Sequence, residues 1–271
     1  MQPRRLAMLA IGLATLVMGV AGTADVAFGA RKARHFGSGS TTTTAPPRST
    51  TTTSPSSFTS PSQLRPVGSP VLSDADASSR VRRSSWEPRP DNATQNQTVP
   101  TSRQLSRFYA FTGQWGSCDN LRQKVTGNFR GTTDEIIQWA AWKWGLPEET
   151  VRAAAVTESW WRMSTVGDNG QSFGLMQIKN VDRWHGGTYP LSKDATAFNV
   201  DYYAGMVRHY FEGCAAWMKD YAHNGYAYRS GDLAGSLGAW YSGDWHSDAA
   251  HTYVSDIQRN ESNRTWSRSG F

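Results

Sequence analysis

The chain has 271 residues, 38% of them hydrophobic, and a formal net charge of +6 at pH 7. Eleven basic and four acidic side chains lie in residues 31–107, whereas residues 108–271 carry fifteen basic and seventeen acidic ones. The surplus of positive charge therefore lies outside the part with the composition of a folded domain, which argues against a nucleic-acid-binding domain.

The first thirty residues predict an export signal. Arg4 and Arg5 precede an apolar run from Leu6 to Val20, and small residues up to Ala30 offer cleavage sites. Because this run is about long enough to span a bilayer, an uncleaved anchor is the alternative. We expect the rest of the chain to be secreted or held in the cell envelope, with membrane contact only if the signal is retained.

Residues 31–103 predict a disordered linker. They are rich in Thr, Ser and Pro, contain few apolar residues and show no sustained periodicity, so they cannot bury enough surface to fold. A basic flexible arm of this kind could bind anionic polymers, and a merely solvated linker is the alternative.

Residues 104–271 predict a single, mainly helical domain. A hydroxyl cap at Thr132 and a proline at Pro147 each begin a helix with acidic residues in its first turn. Three glycines in 167–174 predict a loop or a tight hairpin. Apolar periodicity predicts three further helices over 197–222, 232–240 and 248–259. No stretch alternates like paired strands.

The chain has two cysteines, Cys118 and Cys214, both in the predicted domain. In an oxidising compartment a single pair has one possible connectivity, which predicts a disulfide. Two separate buried thiols are the alternative.

Glu158 ends the apolar face of the helix that begins at Pro147. Ala155, Ala154 and Val151 precede it at the spacings of one helical face, so its carboxylate is expected at an interior or cleft wall. Desolvation there disfavours the ionised form and favours a protonated acid near neutral pH, which suits cleavage of a glycosidic bond. The alternative is a glutamate at the rim of its helix, paired with Arg162.

Several motifs lie at and after this glutamate, in an order typical of one enzyme family. The matching segments are Leu146-Pro147, Glu158-Ser159, Gly170-Gln171-Ser172-Phe173-Gly174-Leu175-Met176-Gln177-Ile178, Asn199 with Ala204-Gly205, and Leu237-Gly238-Ala239-Trp240-Tyr241-Ser242-Gly243. Together they resemble the catalytic core of the soluble lytic transglycosylases, peptidoglycan-cleaving enzymes of the lysozyme-like superfamily. The resemblance covers roughly residues 130–250, and the last segment matches only in part.

The resemblance implies an α+β lysozyme-like fold in which Glu158 is the sole acid and base. It implies cleavage of the bond between MurNAc and GlcNAc with a 1,6-anhydro product. The family's tyrosine that positions the glutamate corresponds to Trp240, or to Tyr241 if the register shifts by one. The expected substrate-binding residues are Ser172, Gly174, Met176, Gln177, Trp240 and Tyr241.

Two other functions compete with this one. Asp168, in the loop before Ser172, could serve as the second carboxylate of a lysozyme-like hydrolase. A non-catalytic cell-wall-binding module would keep the groove without the chemistry. All three functions imply peptidoglycan glycan strands as the partner, with anionic wall polymers as a further partner of the basic linker and no nucleic acid.

Eleven of the twelve tryptophans lie between Trp115 and Trp266. Because aromatic rings stack on sugars, two or three of them are expected to line a groove; the candidates are Trp161, Trp184, Trp240 and Trp245. No cofactor or metal is expected, since the six histidines are scattered and His246 with His251 lacks supporting ligands.

Overall fold

The computed structural model describes residues 62–111, 115, 118–180 and 185–271. This part of the chain is mainly helical with one small sheet, which confirms the predicted fold class at that level. The predicted signal, the linker up to residue 61 and Trp184 lie outside the described residues. Within the described ranges, no helix has both the length and the apolar character needed to cross a membrane.

The helices are named in chain order. They are α1 Asp74–Ser78, α2 Ala93–Asn96, α3 Ser102–Ala110, α4 Asp119–Arg122, α5 Thr133–Trp144, α6 Glu148–Ser159, α7 Leu191–Asp194, α8 Thr196–Phe211, α9 Leu233–Ser242 and α10 Asp248–Ser262. Short 3₁₀ turns are formed by Pro90–Asn92, Ala216–Tyr221 and Thr265–Ser267. The strands are β1 Val166–Gly167, β2 Ser172–Phe173 and β3 Ile178–Lys179.

Helix α8 forms the centre of the core. All of its residues are buried, and α5, α7 and α9 pack against it. The prediction extended this helix to residue 222, which is wrong, because Gly213 adopts a left-handed conformation with φ of 82° just after the helix ends. Helix α10 packs on both α6 and α9, which brings the C-terminal helices next to the predicted acid.

Helix α5 begins and ends where the sequence predicts. Thr132 and Glu135 form a capping box, and Gly145 closes the helix in the left-handed region. Helix α6 follows directly, with Pro147 at its N-cap and Glu148 and Glu149 in its first turn.

The predicted loop or hairpin over 167–174 is part of a three-stranded antiparallel sheet. Val166 pairs with Phe173, and Phe173 pairs with Ile178. Asp168 and Asn169 adopt positive φ and form the turn between β1 and β2. Each strand has only two residues, which is too short for an alternating pattern to be visible in the sequence.

The predicted disulfide between Cys118 and Cys214 is confirmed. It joins positions 96 residues apart, with 5.6 Å between the two Cα atoms. It links the start of α4 to the segment that follows α8.

Residues 62–103, assigned to the disordered linker, instead pack against the helical domain, so the predicted boundary at 104 is wrong for these residues. Arg65 donates from Nη2 to the carbonyls of Trp142 (3.2 Å) and Lys143 (2.8 Å) at the end of α5. Ser62 Oγ donates to the carbonyl of Leu146 at 2.8 Å. Arg65 thereby donates to carbonyls in the last turn of α5, which have no following turn of the helix to donate to them.

Buried charge on the domain provides a second anchor. The Glu148 side chain is fully buried and pairs with Arg82 of the segment as well as with Arg152 of its own helix. Arg152 also pairs with Asp134 at 2.7 Å. The segment is held by polar contacts to the domain, and its few apolar residues, such as Ala77 and Leu72, join the core of the domain, which explains why its composition was misleading.

We predict that loss of residues 1–103 destabilises the domain, whereas loss of residues 1–61 does not. Breaking a buried ion pair costs about 3–5 kcal/mol, and for a domain of this size each kcal/mol corresponds to about 2–4 °C. The melting temperature of the shorter protein should therefore fall by roughly 10 °C or more. Equal melting temperatures for the two truncated proteins would contradict the packing of residues 62–103.

Candidate active site

Glu158 lies in the last turn of α6, on the face that the sequence predicts. Val151, Ala154 and Ala155 on that face are buried, whereas Glu158 itself keeps part of its surface open to solvent. The helix ends abruptly because Trp160 and Trp161 both adopt left-handed conformations, with φ of 56° and 61°. A carboxylate at the end of a buried face is thus both shielded and reachable.

Two side chains from the C-terminal helices donate hydrogen bonds to the same oxygen of Glu158. Trp240 Nε1 of α9 donates to Oε1 at 3.0 Å, and the Tyr253 hydroxyl of α10 donates to Oε1 at 2.6 Å. No described residue donates to Oε2. Of the two residues that the sequence left open, Trp240 and not Tyr241 donates to the glutamate. Oε2 is the oxygen available to carry a proton.

The pKa of Glu158 is raised to about 7. Burial is the largest cause, because desolvation disfavours the ionised carboxylate. The bonds from Tyr253 and Trp240 lower the pKa, and the negative charge of Asp168 raises it. Arg162, the alternative partner, is exposed and forms no ion pair with Glu158 among the described residues. The group therefore titrates near neutral pH, where it can both give and take a proton.

Ser159 connects the end of α6 to the Gly-Leu-Met-Gln segment. Its hydroxyl donates to the carbonyl of Leu175 at 2.7 Å. The backbone NH of Leu175 in turn bonds to the sulfur of Met163 at 3.2 Å. The two motifs that carry the family resemblance are therefore joined by direct hydrogen bonds.

Asn199 of α8 holds the same segment from the other side. Its Oδ1 accepts from the Met176 NH at 2.8 Å, and its Nδ2 donates to the carbonyls of Phe173 and Ser192. Gly174 is required here, because a Cβ would lie 2.4 Å from Asn199 Nδ2. The absence of a side chain at Gly174 thus allows the close approach of Asn199, and the expected contact of Gly174 with a sugar stays a prediction.

The other expected substrate-binding residues on this segment differ in their access to solvent. Met176 is fully buried, so the prediction that it contacts the sugar is wrong and its role is packing. Ser172 is also buried and donates to Asp168 Oδ2 at 2.7 Å. Gln177 remains partly exposed while its Nε2 donates to the carbonyls of Thr165 and Gly174. Gln177 is therefore the member of this segment best placed to meet a ligand.

Asp168, the possible second carboxylate, lies at the hairpin turn. It accepts from Ser172 and pairs with Lys179 at 3.4 Å, with 43% of its side chain exposed. Its negative charge raises the pKa of Glu158, so the hairpin lies close enough to influence the acid. These contacts hold Asp168 as a turn residue that remains open to solvent.

Aromatic rings surround the donors to Glu158. Tyr241 is partly exposed and stacks on Tyr253, with 4.7 Å between ring centroids and 4° between planes. Tyr203 of α8 supports Trp240 edge-on at 5.0 Å. Two of the expected groove tryptophans, Trp161 and Trp245, are fully buried, so that prediction is wrong for them. Both indoles fill the core instead.

One group of potential metal ligands is found among the described residues. It consists of Cys118, Cys214 and His209, and the two sulfurs are joined in the disulfide. His246 and His251, scattered in the sequence, meet with 3.0 Å between Nδ1 and Nε2, and Asp232 binds the other nitrogen of His246. These histidines connect the N-terminus of α9 to α10.

Tyr253 is the functional residue that sequence reasoning missed. It lies in the predicted C-terminal helix, on the face that packs inward, where a tyrosine reads as an ordinary core aromatic. Its partner is 95 positions away, and no local spacing indicates that distance. The sequence holds no local signal that distinguishes Tyr253 from the other buried residues of this helix.

Comparisons of this chain with protein-family models, with curated proteins and with solved structures found no match.

We predict that Glu158→Gln stabilises the protein above neutral pH. Between pH 4.5 and about 7 the folded protein keeps the proton on Glu158 while the unfolded chain has lost it, so stability falls as pH rises. Glutamine has no such loss, and each pKa unit corresponds to about 1.4 kcal/mol, which gives a gain on the order of a few kcal/mol at pH 8. Urea unfolding at pH 4 and pH 8 measures it. A gain that is the same at both pH values would refute the raised pKa.

We also predict that Tyr253→Phe raises the pKa of Glu158 above about 7, because it removes a hydrogen bond that stabilises the ionised form. Tyr241→Phe is the matched control, since it keeps the stacked ring pair and both donors to Glu158. Carboxyl carbon chemical shifts followed by NMR against pH measure both variants. The account fails if Tyr253→Phe titrates at or below the wild-type value.

Proposed function

We propose that this protein is an exported peptidoglycan lytic transglycosylase with a lysozyme-like fold. The observation that carries the proposal is the state of Glu158, a partly shielded carboxyl whose pKa lies near 7 and whose two donors both bind Oε1. The resemblance of the Glu-Ser and Gly-Leu-Met-Gln motifs adds the substrate class. The disulfide, which is typical of oxidising compartments, supports an extracytoplasmic location.

The proposed reaction uses one carboxyl group twice. Protonated Glu158 donates the proton on Oε2 to the glycosidic oxygen between MurNAc and GlcNAc, and the bond from that oxygen to the anomeric carbon breaks. The 6-hydroxyl of the MurNAc then bonds to the anomeric carbon, and its proton passes to the Glu158 carboxylate. A 1,6-anhydro end forms, no water is consumed, and the acid returns to its starting state.

Trp240 and Tyr253 have a defined part in this cycle. A hydrogen bond to a carboxylate is stronger than one to a neutral carboxyl group. Their donation to Oε1 therefore increases as the glutamate loses its proton to the leaving oxygen. Burial raises the pKa of Glu158 and the two hydrogen bonds lower it. The resulting pKa is one at which the group can both give and take a proton.

A lysozyme-like hydrolase is the second candidate. The effect of Asp168 on the pKa of Glu158 favours it, since a second carboxylate then lies within electrostatic reach of the acid. The contacts of Asp168 with Ser172 and Lys179 favour the transglycosylase, because a nucleophile or base must be free to reach the sugar or a water.

We predict that Glu158→Gln lowers the rate of peptidoglycan clearing by about 10²–10⁴-fold, the usual contribution of a general acid. Helical circular dichroism should remain that of the wild type. Rates of turbidity loss with purified sacculi measure the effect. Clearing at the wild-type rate by a folded Glu158→Gln protein would remove Glu158 from the mechanism.

Mass spectrometry of the released muropeptides separates the two candidates. We expect products with 1,6-anhydro ends, and Asp168→Asn should keep the same products at a similar rate. Reducing ends, together with loss of activity in Asp168→Asn, would establish the hydrolase instead. Binding to sacculi without any release would indicate a non-catalytic wall-binding module.

A further inference from the structure

We propose that Asn92, on the segment that precedes the predicted domain, is a positioning residue for Glu158. This role rests on the proposed function, because it concerns the same carboxylate. Asn92 is 2% exposed and ends the 3₁₀ turn Pro90–Asn92. It does not touch Glu158 and acts through the turn formed by residues 160–163.

Both polar atoms of the Asn92 amide form hydrogen bonds with buried partners. Its Oδ1 accepts from the Met163 NH at 2.9 Å, and its Nδ2 donates to the Trp161 carbonyl at 2.7 Å and to Thr133 Oγ1 at 3.0 Å. The opposite orientation of the amide would place a donor against the Met163 NH and an acceptor against the Trp161 carbonyl. The partners therefore determine which way the amide points.

The turn that Asn92 holds is one that does not form readily by itself. Trp160 and Trp161 both have positive φ, which large side chains avoid, so this conformation persists only where surrounding contacts impose it. Arg89 provides a second contact from the same segment, with Nε donating to the Trp160 carbonyl at 2.7 Å. The N-terminal segment thus fixes the two residues that end α6 immediately after Glu158 and Ser159.

A series of hydrogen bonds leads from Asn92 through Met163 and Leu175 to Ser159. Met163, held by Asn92, receives the Leu175 NH on its sulfur, and the Leu175 carbonyl accepts from the Ser159 hydroxyl. Ser159 is the neighbour of Glu158 in the chain. Loss of Asn92 releases the first bond of this series and allows both the helix end and the Gly-Leu-Met-Gln segment to shift.

Asn96 offers a matched control. It is also an asparagine with 2% exposure, and its Nδ2 donates to the same Thr133 Oγ1 at 3.1 Å and to Glu87 Oε2 at 2.8 Å. Its described hydrogen bonds do not reach the turn at residues 160–163. Replacement of Asn96 therefore measures how much stability is lost when a buried asparagine is removed, while the contacts at the end of α6 stay in place.

The experiment compares Asn92→Ala and Asn96→Ala in the full-length protein, with melting temperature, kcat, KM and the pH–rate profile for release of muropeptides from soluble glycan strands. We expect both variants to lose stability. Asn92→Ala should lower kcat by about 10–100-fold, the effect of a misplacement near 1 Å, with KM nearly unchanged and the pH–rate limb of the acid displaced. Asn96→Ala should keep kcat within about threefold of wild type. Equal kcat losses in both, or an unchanged kcat in Asn92→Ala, would overturn the proposal.

Arg89 provides a second test if Asn92→Ala does not fold. Arg89→Lys keeps a cation near the Phe271 ring but removes the Nε donor to Trp160. Arg83→Lys is the matched control, since Arg83 lies on the same segment but contacts Arg130, Glu135 and the Phe129 ring. We expect kcat to fall in the first variant and to be retained in the second. A wild-type kcat in Arg89→Lys overturns the role of the segment. Absence of any product from the wild-type protein would instead refute the proposed function itself.

Discussion

The site depends on two opposing effects on the pKa of Glu158. Burial of the carboxyl raises this pKa, and the two hydrogen bonds that the carboxyl accepts lower it. Burial alone would keep the group protonated over the whole neutral range, and donors alone would keep it ionised. Trp240 and Tyr253 come from different helices, so the packing of α9 and α10 against α6 sets the balance. The arrangement of the C-terminal half of the domain thus has a direct chemical effect on one oxygen atom.

Local signals in the sequence predicted much of the helical frame. The capping box at Thr132, the stop at Gly145 and the proline before α6 act within a few residues, so they are visible without a structure. The segment 62–103 was misjudged for the opposite reason. Its arginines and asparagines find partners on helices far along the chain, and composition treats such residues as solvated.

The parts of the site that are formed by residues close together in the sequence could be predicted. Glu158 on a helical face and Ser159 beside it could be located by periodicity and resemblance. The packing of Gly174 and Met176 could not, because Asn199, far along the chain, fills the space beside Gly174 and accepts from the Met176 NH. Tyr253 and Asn92 were missed since each acts across a long stretch of chain, from positions that look like ordinary core and linker.

The disulfide encloses only part of the candidate site. The covalent loop from Cys118 to Cys214 encloses Glu158 and the hairpin, whereas Trp240 and Tyr253 follow it in the chain. Noncovalent packing alone keeps these two donors on the acid. Local opening of the chain after residue 214 would therefore remove both donors from Glu158 while the crosslinked ring stays closed, so the hydrogen bonds of the site and the covalent loop can be lost separately.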